Sequence, residues 1–155
     1  MHINAYDNIR NVSSIIPQTV SGGSAVNGVS VDTLGYDNAK IHVYSAEASG
    51  SPSAASLAVT LQESTDGTGS GAGAWTTAND NTGTAIGFTL SGLQAAAGVS
   101  AARVEGLNLN RKRYLRIVVT PTFTGGSSPA VLAYGELIFG GDAQQLPVTS
   151  TSSNT

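Results

Sequence analysis

An all-β fold, a single antiparallel β-sandwich of the jelly-roll or Ig-like type with extended N- and C-terminal arms, is expected from three features of this sequence. Hydrophobic residues alternate with a period of two along several stretches. Clusters rich in Gly, Ser, Asn and Asp separate these stretches at short intervals. Little helical pattern lies between them, and strands at such spacing favour a sandwich or barrel.

The alternation is clearest in the stretches KIHVYS, SLAVTLQE and YLRIVVTPTF, which are rich in β-branched and large apolar residues. Such stretches are typical of strands that bury one face and expose the other. We expect the following residues to face inward: Ile41, Val43, Leu57, Val59, Leu61, Leu115, Ile117 and Val119.

Other strands are less regular. NVSSIIPQTV contains Pro17, which confines it to a sheet edge or a bulge. AVLAYGELIF contains Gly135, where we expect a bulge. GAWTT indicates a short strand around Trp75. GLQAAAGVSAARVE predicts one short helix or turn, although Gly98 weakens the helical pattern.

The chain of 155 residues is most simply one domain. We place the β-sandwich domain at residues 12–141. Residues 1–11 and 142–155 are polar and patternless, so they are predicted to be N- and C-terminal arms, and we expect these arms to lie on neighbouring subunits.

Only 11% of the residues are charged, against about 25% in an average soluble domain. Two interpretations fit this composition. In the first, much of the surface is covered by copies of the chain or by a larger assembly. In the second, the protein is a solvated Ser/Thr-rich β-protein. The absence of cysteine excludes disulfides and thiolate chemistry.

The net charge of −3 and the isoelectric point near 5.1 argue against a nucleic-acid partner. The sequence has no apolar run of the roughly 18 residues that indicate a membrane helix, so no membrane partner is predicted. The first residues, MHINAYDNIRNVSS, show no secretory signal pattern.

We predict no enzyme activity, no cofactor and no metal. Two histidines, His2 and His42, are too few for a zinc site. We expect His42 to lie in a strand with its ring hydrogen-bonded to a neighbour. The NDNTG stretch at Asp80 lacks the glutamate of a calcium loop and is predicted to be a turn. Neither a G-x-S-x-G elbow nor a phosphate-binding glycine loop is present.

The aromatic residues allow two interpretations. Tyr36, Tyr44, Tyr114, Tyr134 and Trp75 either line a sugar-binding face or pack in the core and across strands. Core and cross-strand packing is the more ordinary role.

Four of the seven basic residues are concentrated at the start of one strand: Arg111, Lys112, Arg113 and Arg116. We call these residues the basic cluster. Three roles are open for them. They could discourage edge-to-edge aggregation and cover apolar surface, or bind a nucleic acid. In the third role they would pair with carboxylates of a protein partner. The acidic chain makes nucleic acid the weakest of these, and the basic cluster is our candidate for a partner contact.

Three stretches in order carry a resemblance to a known family: VDTLGYDNAKIHV, LAVTLQESTDGTGSGAGAW and RYLRIVVTPTFTGGSSPAVLAYGELIFGGDAQQLP. A GY(D/E) turn before a Val-rich strand, an LQES-D-G step into a loop, and an RYLRV-V strand are similar to the small β-sandwich proteins of tailed bacteriophages. Those proteins are encoded near the major capsid protein and are usually head decoration (cement) proteins. The resemblance covers roughly residues 31 to 147.

The resemblance implies a structural protein that binds the capsid exterior of the virion after synthesis in the host cytoplasm. Its partners would be the major capsid protein and itself, as a homo-oligomer that is expected to be a trimer. The alternative from another class is a carbohydrate- or cell-surface-binding β-sandwich module of a virion fibre or adhesin, with Trp75 as the residue to test.

Overall fold

The computed structural model describes residues 9–36, 38–67, 75–95, 98–106 and 111–140, with the backbone alone for residues 100 and 102–106. Every regular element in these ranges is a strand, which confirms the all-β prediction. The strands are β1 (Arg10–Ser21), β2 (Val26–Asn27), β3 (Val31–Asp32), β4 (Asn38–Ala46), β5 (Ala54–Ser64), β6 (Thr76–Thr77), β7 (Gly87–Ser91), β8 (Gly98–Gly106), β9 (Tyr114–Thr124) and β10 (Ala130–Gly140).

The strands form two antiparallel sheets. Sheet I has the order β1-β10-β4-β8, and sheet II has the order β2-β9-β5-β6, with β3 also paired to β9 and β7 also paired to β5. The pairing of β1 with β10 lies in sheet I, and that of β5 with β9 lies in sheet II. Two such sheets with a shared apolar interior form a β-sandwich, as the sequence predicts.

The core lies between the sheets because each sheet buries one face. All eight residues that the alternation predicts to face inward are at most 3% exposed. Burial of one such side chain stabilises the fold by about 2 kcal/mol. The core also contains these residues: Ile15, Val20, Val31, Ala39, Ala55, Ala78, Ile86, Leu90, Leu93, Val131, Ala133, Leu137 and Phe139.

Strand β1 is the irregular edge of sheet I, as Pro17 predicts. Its register with β10 shifts between Ser13 and Ile15, and again between Ile15 and Gln18. Proline donates no backbone hydrogen bond, so an interrupted edge strand tolerates it. The extra residues of the bulges belong to β1, which places the irregularity on this strand.

The bulge expected at Gly135 therefore lies in the neighbouring strand. Gly135 itself pairs regularly with Val43 of β4. A Cβ atom at Gly135 would lie 3.3 Å from side-chain atoms of both Ile15 and Ile117. A larger residue there would require these two isoleucine side chains to shift by a few tenths of an ångström.

Of the short helix or turn expected within GLQAAAGVSAARVE, the described residues contain the turn and no helix. Residues 93–95 form a turn, and Gly98 begins β8, which pairs with β4 along its whole length. The partly buried Val99 and Ala101 pack against the core. Cross-strand pairing and burial outweigh a weak helical pattern that already contains a glycine.

The described strands run from Arg10 to Gly140, and the predicted domain boundaries at residues 12 and 141 stay a prediction. Residues 10 and 11, which we assigned to the N-terminal arm, already belong to β1. Of the other arm residues, Ile9 is described and lies outside any strand, whereas residues 1–8 and 142–155 lie outside the described part of the chain, so the arms stay a prediction.

Ser14 of β1 connects the two sheets at one side of the sandwich, and it is 1% exposed. Its hydroxyl accepts a hydrogen bond from the backbone N–H of Ile117 in β9 at 2.9 Å and donates one to the carbonyl of Val29 at 2.9 Å. Gly28 donates to the Ile117 carbonyl, and a Cβ there would lie 2.7 Å from that oxygen. We call Ser14, Gly28, Val29 and Ile117 the Ser14 junction.

Substitution Ser14→Ala should lower the free energy of unfolding by about 2 kcal/mol, because it leaves the buried N–H of Ile117 and the Val29 carbonyl without their side-chain partner. Urea denaturation measures the change. The exposed neighbour provides the matched control: Ser13→Ala should change stability by less than about 0.5 kcal/mol. Equal losses in the two variants would contradict the role of the junction.

Candidate partner-contact site

The basic cluster gathers at the start of β9. Three of its residues directly precede the strand, and Arg116 lies opposite Gln62 of β5 on the outer face of sheet II. At this end β9 pairs with β3 on one side, through Tyr114 and Asp32, and with β5 on the other. The cluster therefore lies where three strands meet.

Arg113 binds Asp32 through two parallel hydrogen bonds. Its Nε donates to Asp32 Oδ1 at 2.9 Å and its Nη2 donates to Oδ2 at 2.7 Å. The hydrogen bonds from Arg113 hold the pKa of the Asp32 carboxyl below its ordinary value of 3.8, and they raise the pKa of Arg113. The Arg113 side chain is 49% exposed, so water screens this pair.

Arg111 and Lys112 lie against β5 and β6. Arg111 Nη1 is 4.0 Å from Glu63 Oε2, and the backbone N–H of Lys112 donates to the same oxygen at 3.5 Å. Lys112 Nζ donates to the Thr76 hydroxyl at 2.8 Å. Glu63 thus draws the turn before β9 onto the end of β5.

Arg116 is held flat on the outer face of sheet II. Its Nε and Nη2 donate to Gln62 Oε1 at 2.9 and 2.7 Å, and its guanidinium carbon lies 4.4 Å from the centre of the Trp75 ring. A guanidinium over an indole face is a favourable cation–π contact. Burial lowers the pKa of Arg116 from its ordinary value.

Each residue of the basic cluster thus has a contact inside its own chain. The geometry fits the interpretation in which the cluster protects and braces the start of a core strand. A further contact between Arg111, Lys112, Arg113 or Arg116 and an acidic partner stays a prediction, for which the half-exposed Arg113 is the most accessible of the four.

The aromatic residues do not form one row. Tyr36 stacks on Phe139 with ring centres 5.0 Å apart, Trp75 lies under Arg116, and Arg113 lies 5.3 Å from the ring of Tyr114. The other two tyrosines share the outer face of sheet I, where Tyr44 and Tyr134 are paired across β4 and β10. Packing accounts for the first group, and the second group is separate from it.

Sequence reasoning missed a polar chain on the outer face of sheet I. His42 Nδ1 lies 3.0 Å from Glu136 Oε1, Tyr134 donates to Glu136 Oε2 at 2.9 Å, and the Ser13 hydroxyl lies 3.3 Å from that of Tyr134. His42 is therefore a strand histidine with a partner, as expected. The hydrophobic alternation predicts that these side chains face outward, but it does not predict that β4 pairs with β10.

Exposed apolar side chains form a second missed feature. Ile9, Ile16, Val29 and Leu34 are each between 55% and 69% exposed, and all four lie within residues 9–34. The adjacent isoleucines in SSIIPQTV were a usable signal, because neighbouring residues of a regular strand point to opposite faces of the sheet. We call these four residues the β1 flank.

Within the described ranges, no group of three or more His, Cys, Asp or Glu residues is placed to hold a metal ion. The same part of the chain has no helix that is long and apolar enough to cross a membrane.

Comparison with known proteins finds only distant similarity, and this similarity is to solved structures. No protein-family model matches the chain, and no curated protein matches it in sequence. A chain in a solved structure of Desmodium yellow mottle tymovirus is similar over 85% of this chain and 87% of that chain, with 12% identity and a TM-score of 0.33. A similarity at this level supports no inference about function.

Replacement of Asp32 by Asn should remove a pH-dependent part of the stability. The folded pKa of Asp32 lies below the unfolded value of 3.8, so its contribution is complete above that value and is lost as the pH falls through the folded pKa. Urea denaturation of the wild type and Asp32→Asn between about pH 6 and about pH 2 should show a difference that shrinks with acid. In an Arg113→Ala background most of this pH dependence should disappear; an unchanged dependence there would contradict the assigned cause.

Replacement of Arg116 by Met keeps an unbranched apolar side chain but removes the guanidinium from Gln62 and Trp75. We expect a loss of about 1 kcal/mol in unfolding free energy. The fluorescence of Trp75, the only tryptophan, should shift to longer wavelength because its ring face becomes hydrated. Lys40→Met on the outer face of sheet I is the control and should leave the emission unchanged. The same emission from Arg116→Met and the wild type would argue against the stacking.

Proposed function

We propose that this chain is a structural virion protein without catalytic activity, which binds the outside of a bacteriophage capsid and cements neighbouring capsomers. The β1 flank is the observation that supports this proposal most directly. Contiguous exposed apolar surface marks sites of contact with other proteins, and within the flank Ile16 and Val29 carry this argument. Val29 donates its N–H to the carbonyl of Ser14, so it lies beside the strand that exposes Ile16.

The composition and the sequence resemblance support the same proposal. With 11% charged residues, the surface offers little electrostatic repulsion between closely spaced copies. The resemblance to phage head decoration proteins covers β3 to β10. It implies that the partner is the major capsid protein. A homotrimer on the capsid exterior is the assembly that this resemblance implies.

The proposed mechanism is stabilisation by selective binding. A protein that binds the assembled capsid lattice, but not its separated subunits, shifts the equilibrium toward the lattice in proportion to its concentration over its dissociation constant. Contacts repeated by symmetry make the attachment multivalent, so each single interface can be modest. Contacts across capsomer boundaries would then oppose the pressure of packaged DNA.

The β1 flank is predicted to carry the attachment. Purified wild-type protein should co-sediment with expanded capsids of the virus that encodes it, and should raise their survival after heat and osmotic shock. The double variant Ile16→Ser/Val29→Ser should fold, because both side chains are exposed, and its affinity should fall at least about tenfold, since two apolar contacts are lost.

The matched comparison is Arg111→Ala/Lys112→Ala, which tests whether the basic cluster also contacts the partner. Weaker attachment with the fold retained would support that contact, and unchanged attachment would leave these residues with their internal role alone. Native mass spectrometry should show a trimer of the 15.6 kDa chain. If the wild type fails to bind, and capsids without it survive both treatments equally well, the proposed function is wrong.

A further inference from the structure

The outer face of sheet I carries a compact group of four side chains that the capsid proposal does not use. Tyr44 pairs with Tyr134 across β4 and β10, and two residues along each strand His42 pairs with Glu136. Cross-strand neighbours lie about 5 Å apart and residues two apart along a strand about 7 Å apart. We call these four residues the sheet I grid.

Tyr44 lies across the neighbouring strand rather than standing away from the sheet. A Cβ on Gly98 of β8 would lie 2.9 Å from Cε2 and Cζ of the Tyr44 ring, closer than real Cβ contacts. The ring therefore rests on the bare backbone of Gly98, and the residue is 39% exposed. The hydroxyl end of the ring is thus supported by β8, while the residue stays partly exposed.

The hydrogen bonds of the grid have fixed directions. Glu136, as a carboxylate, only accepts, so Tyr134 donates to its Oε2 and His42 donates from Nδ1 to its Oε1. The Tyr134 oxygen can then accept from the hydroxyl of Ser13. This arrangement holds neutral His42 in the tautomer whose Nε2 is an acceptor. The histidine side chain is 32% exposed and that of Glu136 is 16% exposed.

We propose that the sheet I grid binds a neutral hexopyranose unit of a glycan. The apolar face of a sugar ring would stack on Tyr44, and hydroxyl groups at the ring edge would donate to His42 Nε2 and to the remaining lone pairs of Glu136. A supported aromatic face beside preoriented polar groups is the chemistry that suits a sugar, which is both apolar on its face and hydroxylated at its edge.

The charges of the grid favour this ligand over the alternatives. A second copy of the chain docked here would bury the ionisable pair of His42 and Glu136, which costs free energy unless every polar atom finds a partner. Sugar hydroxyls supply such partners by donating and accepting. An acidic sugar would meet the Glu136 carboxylate, so a neutral one fits better. The proposal does not rest on capsid attachment, which we assign to the β1 flank.

The test uses the full-length protein and three neutral oligosaccharides, maltohexaose, cellohexaose and chitohexaose, followed by two-dimensional NMR. At least one should bind and shift the amide signals of β4 and β10. Tyr44→Ala should weaken that binding about tenfold, as expected for loss of an aromatic stacking contact. Tyr44→Phe should retain most of the affinity, because it keeps the ring.

Two further variants separate a sugar site from a general surface effect. Gly98→Ala should also weaken binding, because its Cβ displaces the Tyr44 ring, and Glu136→Gln should weaken it by disturbing the polar chain. Arg113→Ala, on the basic cluster, is the control and should bind as the wild type does. The NMR spectrum of each variant reports whether it is folded.

Three results would overturn the proposal. None of the three oligosaccharides binds the folded wild type, or Tyr44→Ala binds as tightly as the wild type. The third is a wild-type dimer held through this face that Tyr44→Ala dissociates, because the occupant would then be a second copy. Capsid attachment measured with Tyr44→Ala should be unchanged, so failure here is distinguishable from failure of the proposed virion role.

Discussion

The architecture depends on the way one hydroxyl group joins the two sheets. Strand β1 belongs to sheet I, yet Ser14 satisfies the backbone N–H of Ile117 in sheet II. Buried backbone groups must find partners, so without this side chain the edge of β9 would need another strand or water there. The bulges of β1 and the bare Cα of Gly28 are local deviations that let the two sheets meet at this point.

The two outer faces use polar residues in different ways. On sheet II the basic cluster forms hydrogen bonds and an ion pair with Asp32, Gln62, Glu63 and Thr76. These contacts connect strands that are distant in sequence. On sheet I the polar chain leaves Tyr44 exposed at its side. Of the β1 flank, Ile16 lies on the edge strand of sheet I, and Leu34 follows β3 of sheet II.

The fold was largely predictable, because burial on one face imposes a period of two that is visible in the sequence. The core positions of β4, β5 and β9 follow from it, whereas the edge position of Pro17 follows from its missing backbone N–H. The strand at Gly98 was not predictable in this way, since its small residues match a weak helix as well as they match a strand. The basic cluster was visible, but its partners were not, because Asp32 and Gln62 reach it only through strand pairing.

Two properties of this protein were thus determined by the sequence alone: an all-β sandwich and a nearly neutral surface with one concentration of positive charge. Tertiary structure decided which outward side chains meet. It turned the basic residues toward partners in their own chain, separated Trp75 from Tyr44, and placed His42 beside Glu136, which is 94 residues away in the chain. The physical reason is that alternation specifies the face on which a side chain lies, whereas its neighbours depend on strand order and register, which are set by long-range packing.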